Sequence, residues 1–340
     1  MTAKEFGDAK LHCVDLGARA GMPEHWQPYA AHLTIDAFEP DEQALDKGYK
    51  QKEGATWFPI GLARHSGRAK FFVLGGASGS SLYPPNEPVI SQYSRDRYWR
   101  LRETRELPFL SFSDYIAKYD RPTPELIKLD TQGSELDILS SLDDAHWPSV
   151  LVVETEVEFL ELYKGQPMFR DVDAFLAAKG FELLDLRTHR AYLHKGDSSD
   201  HYLRQYFDLA ELRTDYSARL LAGDAIYIRA FPDGVPESAD TVRKLALALC
   251  IYHYFDHAAL LAERAEAAGR LTAADKEALI ADIVARAPRP GPAERASGTL
   301  RRILVGLKHI RGKLLGMVGL RVARRGQHRV GWSLRSWPDQ

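Results

Sequence analysis

The chain has 340 residues, a formal net charge of -2 and an apolar fraction of 45%, the composition of a globular protein large enough for one α/β domain and an appendage. Near-neutral charge disfavours a dedicated nucleic-acid binder, and Cys13 and Cys250, each in an apolar stretch, offer neither a disulfide framework nor a zinc cluster. The first ten residues hold no apolar leader core and no run of eighteen apolar residues occurs, so a cytoplasmic protein is expected.

Taken in order, Leu11, Cys13, Val14 and Leu16 read as a buried parallel strand, and Gly17 to Gly21 as a tight turn into a helix starting near Met22. Standing first in a doubly wound sheet, such a unit binds a nucleotide-like ligand at the strand ends. Asp15, two positions before Gly17, suits a cationic amino group better than a pyrophosphate, and S-adenosylmethionine carries such a group. The next strand, His32 to Phe38, delivers Glu39, whose carboxylate can accept from both ribose hydroxyls. Arg19 stands inside the glycine turn, so the dinucleotide pattern G-x-G-x-x-G is missing and a NAD-dependent dehydrogenase is disfavoured. A polar helix is expected over Asp41 to Lys52. Ala55 to Ala63 follows as a third strand with Pro59 at an edge or bulge, and Ala69 to Leu74 returns antiparallel. Gly75 to Leu107 reads as a long loop, with Ser80, Ser81 and Leu82 turned back to the cofactor side and an arginine-rich exposed rim.

The second half repeats the alternation. Phe112 to Tyr119 is a short helix, and Leu126 to Leu129 a strand ending at Asp130. After Thr131, Gln132 and Gly133, Ser134 caps a helix through Leu142. Val150 to Val153 is a strand ending at Glu154, with Glu156 on the same side, so Asp130, Glu154 and Glu156 are expected to converge at the cofactor edge. Phe169 to Lys179 is a helix stopped by Gly180. Strands at Phe181 to Leu186 and Ala225 to Ile228 enclose an insertion, Arg187 to Gly223, expected to be helical around Tyr202 to Leu212.

The runs VDLGARAG, DAFEPD, IKLDTQGSELDIL, ETEVEFLELYKGQPMF, AFLAAKGFELLDL and GDAIYIR resemble, in this order, the FkbM family of S-adenosylmethionine-dependent methyltransferases. The resemblance covers roughly Leu11 to Arg229. It implies an α/β fold, a Rossmann-like seven-stranded class I methyltransferase sheet with helices on both faces and the last strand antiparallel. O-methylation of a hydroxyl on a sugar, glycan or secondary metabolite is the implied activity. Residue by residue it assigns Asp15, Gly17 and Gly21 to the cofactor loop, Glu39 to the ribose, and Asp130, Gln132, Gly133 and Glu135 to the loop after the fourth parallel strand. Two departures stand out. Arg19 occupies a place where many methyltransferases have glycine, and Asp36 puts a second acid in the ribose strand, so that the ribose role is shared between Asp36 and Glu39. With Ser81 these residues make the expected cofactor set.

Two chemical schemes follow for the reaction. In one, a single carboxylate, Asp130 foremost, takes the hydroxyl proton; in the other, Asp130, Glu154 and Glu156 hold a divalent cation, Mg²⁺, that acidifies the hydroxyl. Pairing of Glu154 or Glu156 with an arginine is the plain structural alternative. Gln132, Tyr163 and Gln166 are placed to orient substrate hydroxyls. A non-catalytic glycan-binding or partner subunit on the same fold is the rival function, disfavoured because an inactive copy would be expected to lose Asp15 or Asp130.

The expected organisation is a methyltransferase-like domain over residues 1–235 with insertions at 75–107 and 187–223, and then a helical pair over 236–287. A Pro/Gly linker over 288–298 and a basic amphipathic tail over 299–340 complete it. Within the pair, Ser238 or Asp240 caps one long helix from Thr241 to Ala268 and Thr272 to Ala287 forms the second. It is expected to pack on the sheet domain or on a second copy of the chain. Thr299 to Arg329 holds nine Lys or Arg and no acid, and Leu300, Ile303, Leu304, Leu307 and Ile310 fall near helical spacing. That pattern suits peripheral contact with an anionic inner membrane face, weakened by Gly306, Gly312, Gly316 and Gly319.

Overall fold

In the computed structural model, which describes residues 5–41, 54–93, 96–191 and 219–288, the first apolar run forms β1 (Leu11–Leu16), buried throughout. After it come β2 (Leu33–Phe38), β3 (Ala55–Phe58), β4 (Gly61–Leu62), β5 (Gly67–Leu74) and β6 (Leu101–Leu110). The later strands are β7 (Leu126–Leu129), β8 (Val152–Glu158), β9 (Phe181–Ala191) and β10 (Arg219–Arg229). Seven of these make one sheet in the order β3-β2-β1-β7-β8-β10-β9, parallel except that β10 runs antiparallel to both neighbours. This is the expected methyltransferase sheet. The chain moves outward from β1 to β3 and then returns to β7 on the other side of β1, so the order reverses at β1 and β7 and opens a crevice at their carboxyl ends.

The helices are α1 (Glu87–Ile90), α2 (Asp96–Trp99), α3 (Phe112–Tyr119), α4 (Glu135–Leu139) and α5 (Phe169–Ala178). They are followed by α6 (Ala239–Ile251), α7 (Phe255–Ala267) and α8 (Ala273–Arg286). Strand alternation sends Val14, Leu16, Ile127, Leu129, Val153 and Val157 to one face, where α3 to α5 pack on them. Leu11, Cys13, Ile35, Leu126, Val152 and Ile226 take the other face and meet Val242, Leu245, Leu249, Leu261 and Ile283 of α6 to α8. The C-terminal helices therefore close the sheet's second face. Residues up to Ala287 form one compact unit.

Several boundaries differ from expectation for identifiable reasons. The helix near Met22 is replaced by 3-10 turns at Ala18–Ala20 and Gln27–His32, because Pro23 and Pro28 remove amide donors that a helix would need. The expected Ala55 to Ala63 strand divides at Pro59 into β3, on the edge of the large sheet, and β4, in a separate three-stranded sheet of order β4-β6-β5. Within that small sheet β5 is antiparallel to β6, and the region expected as a loop holds two short helices and most of β6. β8 continues through Glu154 and Glu156 to Glu158 instead of stopping at the first acid. The single long helix is broken at His253, which adopts φ 68°, giving α6 and α7. Ser238 caps α6, accepting from the Thr241 amide, and Thr272 caps α8, accepting from that of Asp275. The expected helices at 41–52 and 202–212 and the basic tail fall on residues outside those described, apart from Asp41.

Cys13 and Cys250 are buried free thiols. No helix among the described residues is long and apolar enough to cross a membrane.

Candidate functional site

At the carboxyl ends of β1, β2 and β7 lies a cavity of about 300 Å³, bounded by Leu16, Gly17, Arg19, Glu39, Asp130 and Thr131 and roofed by Leu62, Phe71, Leu82 and Phe109. Its floor is the turn after β1. Gly17 takes φ 84°, its amide donates to the Phe38 carbonyl at 3.2 Å, and the Asp130 amide donates to the Leu16 carbonyl at 3.0 Å. A Cβ at position 17 would stand 2.0 Å from the Asp130 carbonyl oxygen. Glycine is thus required twice over, for the left-handed backbone and for the close approach of two strand ends.

Glu39 leaves β2 on the cavity wall and is only 5% exposed. Its Oε1 accepts from the Asp41 amide at 2.8 Å, and its other oxygen has no bond from any described residue. Burial pushes its pKa up. A buried carboxylate facing a cavity with an oxygen to spare is suited to a ligand hydroxyl.

Other residues expected to bind cofactor are placed differently. Asp15 is not on the cavity wall: it is 1% exposed and accepts from Lys128 Nζ at 3.2 Å. Burial alone would lower the Lys128 pKa, but Asp15, Asp130 and Glu154 around it hold it above its ordinary value. Asp36, expected to share the ribose role, is not on the cavity wall. Its carboxylate is fully buried and accepts from His12 Nε2 at 2.7 Å, from Arg121 at 2.8 and 2.6 Å, and from the Tyr115 hydroxyl. Alternation turns position 36 toward α3, away from the strand end where Glu39 emerges. Ser81 is also off the wall, its hydroxyl donating to the Gln132 carbonyl at 2.6 Å, while its neighbours Ser80 and Leu82 line the cavity. Gly21 closes the glycine turn at φ 83°, its amide donating to the Ala18 carbonyl at 2.9 Å, and does not reach the cavity.

The three candidate catalytic acids are split. Asp130 is exposed and on the cavity wall. Gln132, at φ 60°, donates through Nε2 to Asp130 Oδ1 at 2.8 Å and also to Glu156 Oε2, joining those two carboxylates. Tyr163 holds the same carboxamide, its hydroxyl lying 2.8 Å from Gln132 Oε1 and 2.8 Å from the Gly79 carbonyl. Gln132 is therefore a brace behind the wall. Glu154 is drawn elsewhere, accepting from the Tyr252 hydroxyl at 2.8 Å and lying 3.4 Å from His25 Nε2. Burial opposes its ionisation, but His25 and Lys128 hold its pKa below the usual range. Among the described residues no three His, Cys, Asp or Glu side chains are gathered as a metal ion would need. The expected Asp130, Glu154 and Glu156 metal triad is not formed, because His25 and Tyr252 engage Glu154 on its own.

Glu135 folds back under the loop after β7, accepting from the Thr131 amide at 2.7 Å, the Thr131 hydroxyl at 2.9 Å and the Gly133 amide at 2.9 Å. Burial pushes its pKa up to about 7. Burial and then the Asp130 charge likewise raise Glu156. Gln166 serves the loop too, its Oε1 accepting from the Tyr163 amide at 2.6 Å.

Residues not legible from the sequence are Phe71 and Phe109 of the roof and Arg105 beside it. Phe71 and Phe109 arrive from β5 and β6, and Arg105 of β6 pairs with Asp41 at 3.2 Å while Arg19 pairs with the same carboxylate at 3.0 Å. The apolar run LPFL at the end of β6 is the available signal for Phe109, hidden by the charged residues before it.

The Methyltransferase FkbM domain matches residues 15–183, which carry the end of β1, β2 to β8 and the cavity. No curated protein matches the sequence. Among solved structures, methyltransferase FkbM from Methylobacillus flagellatus KT is 13% identical with a TM-score of 0.33 over 65% of this chain, which spans 44% of that protein's length. A protein of Pyrococcus horikoshii named as an RNA methyltransferase is 10% identical with a TM-score of 0.29, over 66% of this chain and 78% of the other. The family assignment rests on the domain match and not on these distant likenesses.

Proposed function

Because residues 15–183 place the chain in the FkbM methyltransferase family, we propose that it transfers the methyl group of S-adenosylmethionine to a hydroxyl of a sugar, glycan or secondary metabolite. The observation that carries this reading is Glu39, a buried acid with an acceptor oxygen that no described residue uses, on a cavity of about 300 Å³ floored by the Gly17 turn. That cavity is at the small end of the range for ligand sites. Glu39 would hold the ribose hydroxyls and the Gly17 turn the sulfur-bearing arm. When bound, S-adenosylmethionine supplies a methyl group already activated on a sulfonium.

The chain then has two tasks, alignment and proton removal. Asp130 is the acid on the cavity wall besides Glu39, and the Gln132 amide holds its Oδ1. The second Asp130 oxygen takes the proton of the acceptor hydroxyl, while Glu156, on the same amide, keeps Gln132 oriented. No step is assigned to Mg²⁺, since the donor set does not assemble.

The reading is tested by calorimetry with S-adenosylhomocysteine, followed by incubation with methyl-labelled S-adenosylmethionine and acceptors fractionated into glycans, lipids, proteins and small metabolites. Glu39→Ala should weaken S-adenosylhomocysteine about ten- to a hundredfold without unfolding the chain. Asp130→Asn should lower turnover about a hundred- to ten-thousandfold with cofactor affinity retained. Uptake of NAD in place of S-adenosylhomocysteine would overturn the cofactor, and near wild-type turnover in Asp130→Asn would overturn the base.

A further inference from the structure

Arg19 is the one cationic side chain among the described residues lining the cavity, whose anionic ones are Glu39 and Asp130. It sits on the Ala18–Ala20 turn between Gly17 and Gly21, both at positive φ, so the backbone that forms the floor also fixes the base of this side chain. Its guanidinium is about a quarter exposed, and its one bond to a described residue runs from Nη1 to Asp41 Oδ2 at 3.0 Å. A guanidinium has five N–H donors in a planar fork, so most of them remain to be used.

Asp41 does not depend on Arg19 alone. Its other carboxylate oxygen accepts from Arg105 of β6 at 3.2 Å, and its amide donates to Glu39 Oε1 at 2.8 Å. Glu39, Asp41 and Arg19 thus form one connected unit, in which Arg105 keeps Asp41 paired when Arg19 turns toward the cavity. The acid expected to meet the cofactor's amino-acid end, Asp15, is off the wall and engaged by Lys128. At that end of the glycine turn the cavity offers a cation.

On the reading of the cavity as an S-adenosylmethionine site, we propose that Arg19 is a specificity residue that receives the cofactor's α-carboxylate. Planar, charge-assisted pairing with a carboxylate is what a guanidinium does better than a backbone turn or a lysine. The adenosine end is then held by Glu39 and the amino-acid end by Arg19, with Asp41 bracing both.

The test is calorimetry on the full chain with two probes, S-adenosylhomocysteine and S-adenosyl-thiopropylamine, which differ only by the carboxylate. Wild type should prefer the carboxylate-bearing probe by about ten- to a hundredfold. In Arg19→Ala that preference should fall to within about threefold, through loss on the S-adenosylhomocysteine side alone. Arg19→Gln, which is shorter and uncharged but keeps a polar side chain with N–H donors on the turn, should do the same and guards against a folding defect in the alanine variant. Equal binding of the two probes by wild type, or a preference preserved in both variants, overturns the role of Arg19 while leaving the cofactor reading standing. Failure of wild type to bind either probe overturns the cofactor reading and this inference with it.

Discussion

Gly17 carries the tightest constraint of any single residue at the cavity. At φ 84° a side chain is strained, and a Cβ would lie 2.0 Å from a backbone oxygen, that of Asp130, which cannot move aside as a flexible side chain would. Gly17→Ala should therefore part the ends of β1 and β7, lower the melting temperature and weaken S-adenosylhomocysteine by more than about a hundredfold, read by thermal melting and calorimetry. Asp36 makes the opposite kind of prediction, one of stability without ligand contact. Burial would raise its pKa, but His12, Arg121 and Tyr115 together hold it below the ordinary carboxylate value. Its contribution is complete above the unfolded value, near pH 4, and is lost as pH falls through the lower folded value. Asp36→Asn should cost about 3 kcal/mol or more at neutral pH, and the gap from wild type should close on acidification below about pH 4. Equal melting temperatures at neutral pH would sink this assignment. The contrast between Asp36 and Glu39 also shows what a local pattern can carry. Asp36 and Glu39 both stand in DAFEPD, and the strand end identifies Glu39 as the one that reaches the cavity. The partners that commit Asp36 to the interior, Tyr115 and Arg121, come from 79 and 85 residues away, beyond the reach of any local pattern.

Among the elements, legibility follows burial. β1 and β7 are apolar because both faces of the sheet are covered, and their extents were plain in the sequence. β6 was not, because its residues are almost all exposed until Phe109, which leaves no alternating apolar signal in LRETRELPFL. β8 was cut short for the reverse reason, since Glu154, Glu156 and Glu158 line one face of a strand that packs Val153 and Val157 on the other. The small sheet matters because it roofs the cavity. Phe109 lies flat against Gly61, where a Cβ would come within 2.2 Å of the ring. Gly61→Ala is predicted to push that ring toward the ligand space and weaken S-adenosylhomocysteine about tenfold, with Phe109→Leu in the same chain restoring most of the affinity. If the double variant binds no better than Gly61→Ala, the roof does not act through Phe109.

For the molecule as a whole, the Ser238 or Asp240 cap and the apolar spacing announced the C-terminal helices, but an apolar helix face does not say what it covers. The structure gives them the second face of the main sheet. Lys244 of α6 reaches Glu125 at 2.9 Å, Tyr252 reaches Glu154, and the Phe6 amide reaches Asp282 of α8 at 2.6 Å. Removing α6 to α8 would bare Leu11, Ile35, Leu126, Val152 and Ile226 together. At about 1.5 to 3 kcal/mol for each such side chain, that loss approaches the whole stability of an ordinary domain. A chain ending at Arg229 should therefore show no cooperative melt, although it retains all seven strands of the main sheet. One ending at Ala287 should melt like the full chain and bind S-adenosylhomocysteine with the same affinity, since the cavity and its supports all lie before that point. The same pair of chains decides the proposed membrane role of residues 299–340. Their excess of Lys and Arg should carry the full chain down with anionic vesicles at low salt and release it as ionic strength rises, because the attraction between exposed charges is screened. The chain ending at Ala287 should stay in solution under both conditions; if it sediments with the vesicles as the full chain does, the basic segment is not what holds the protein there.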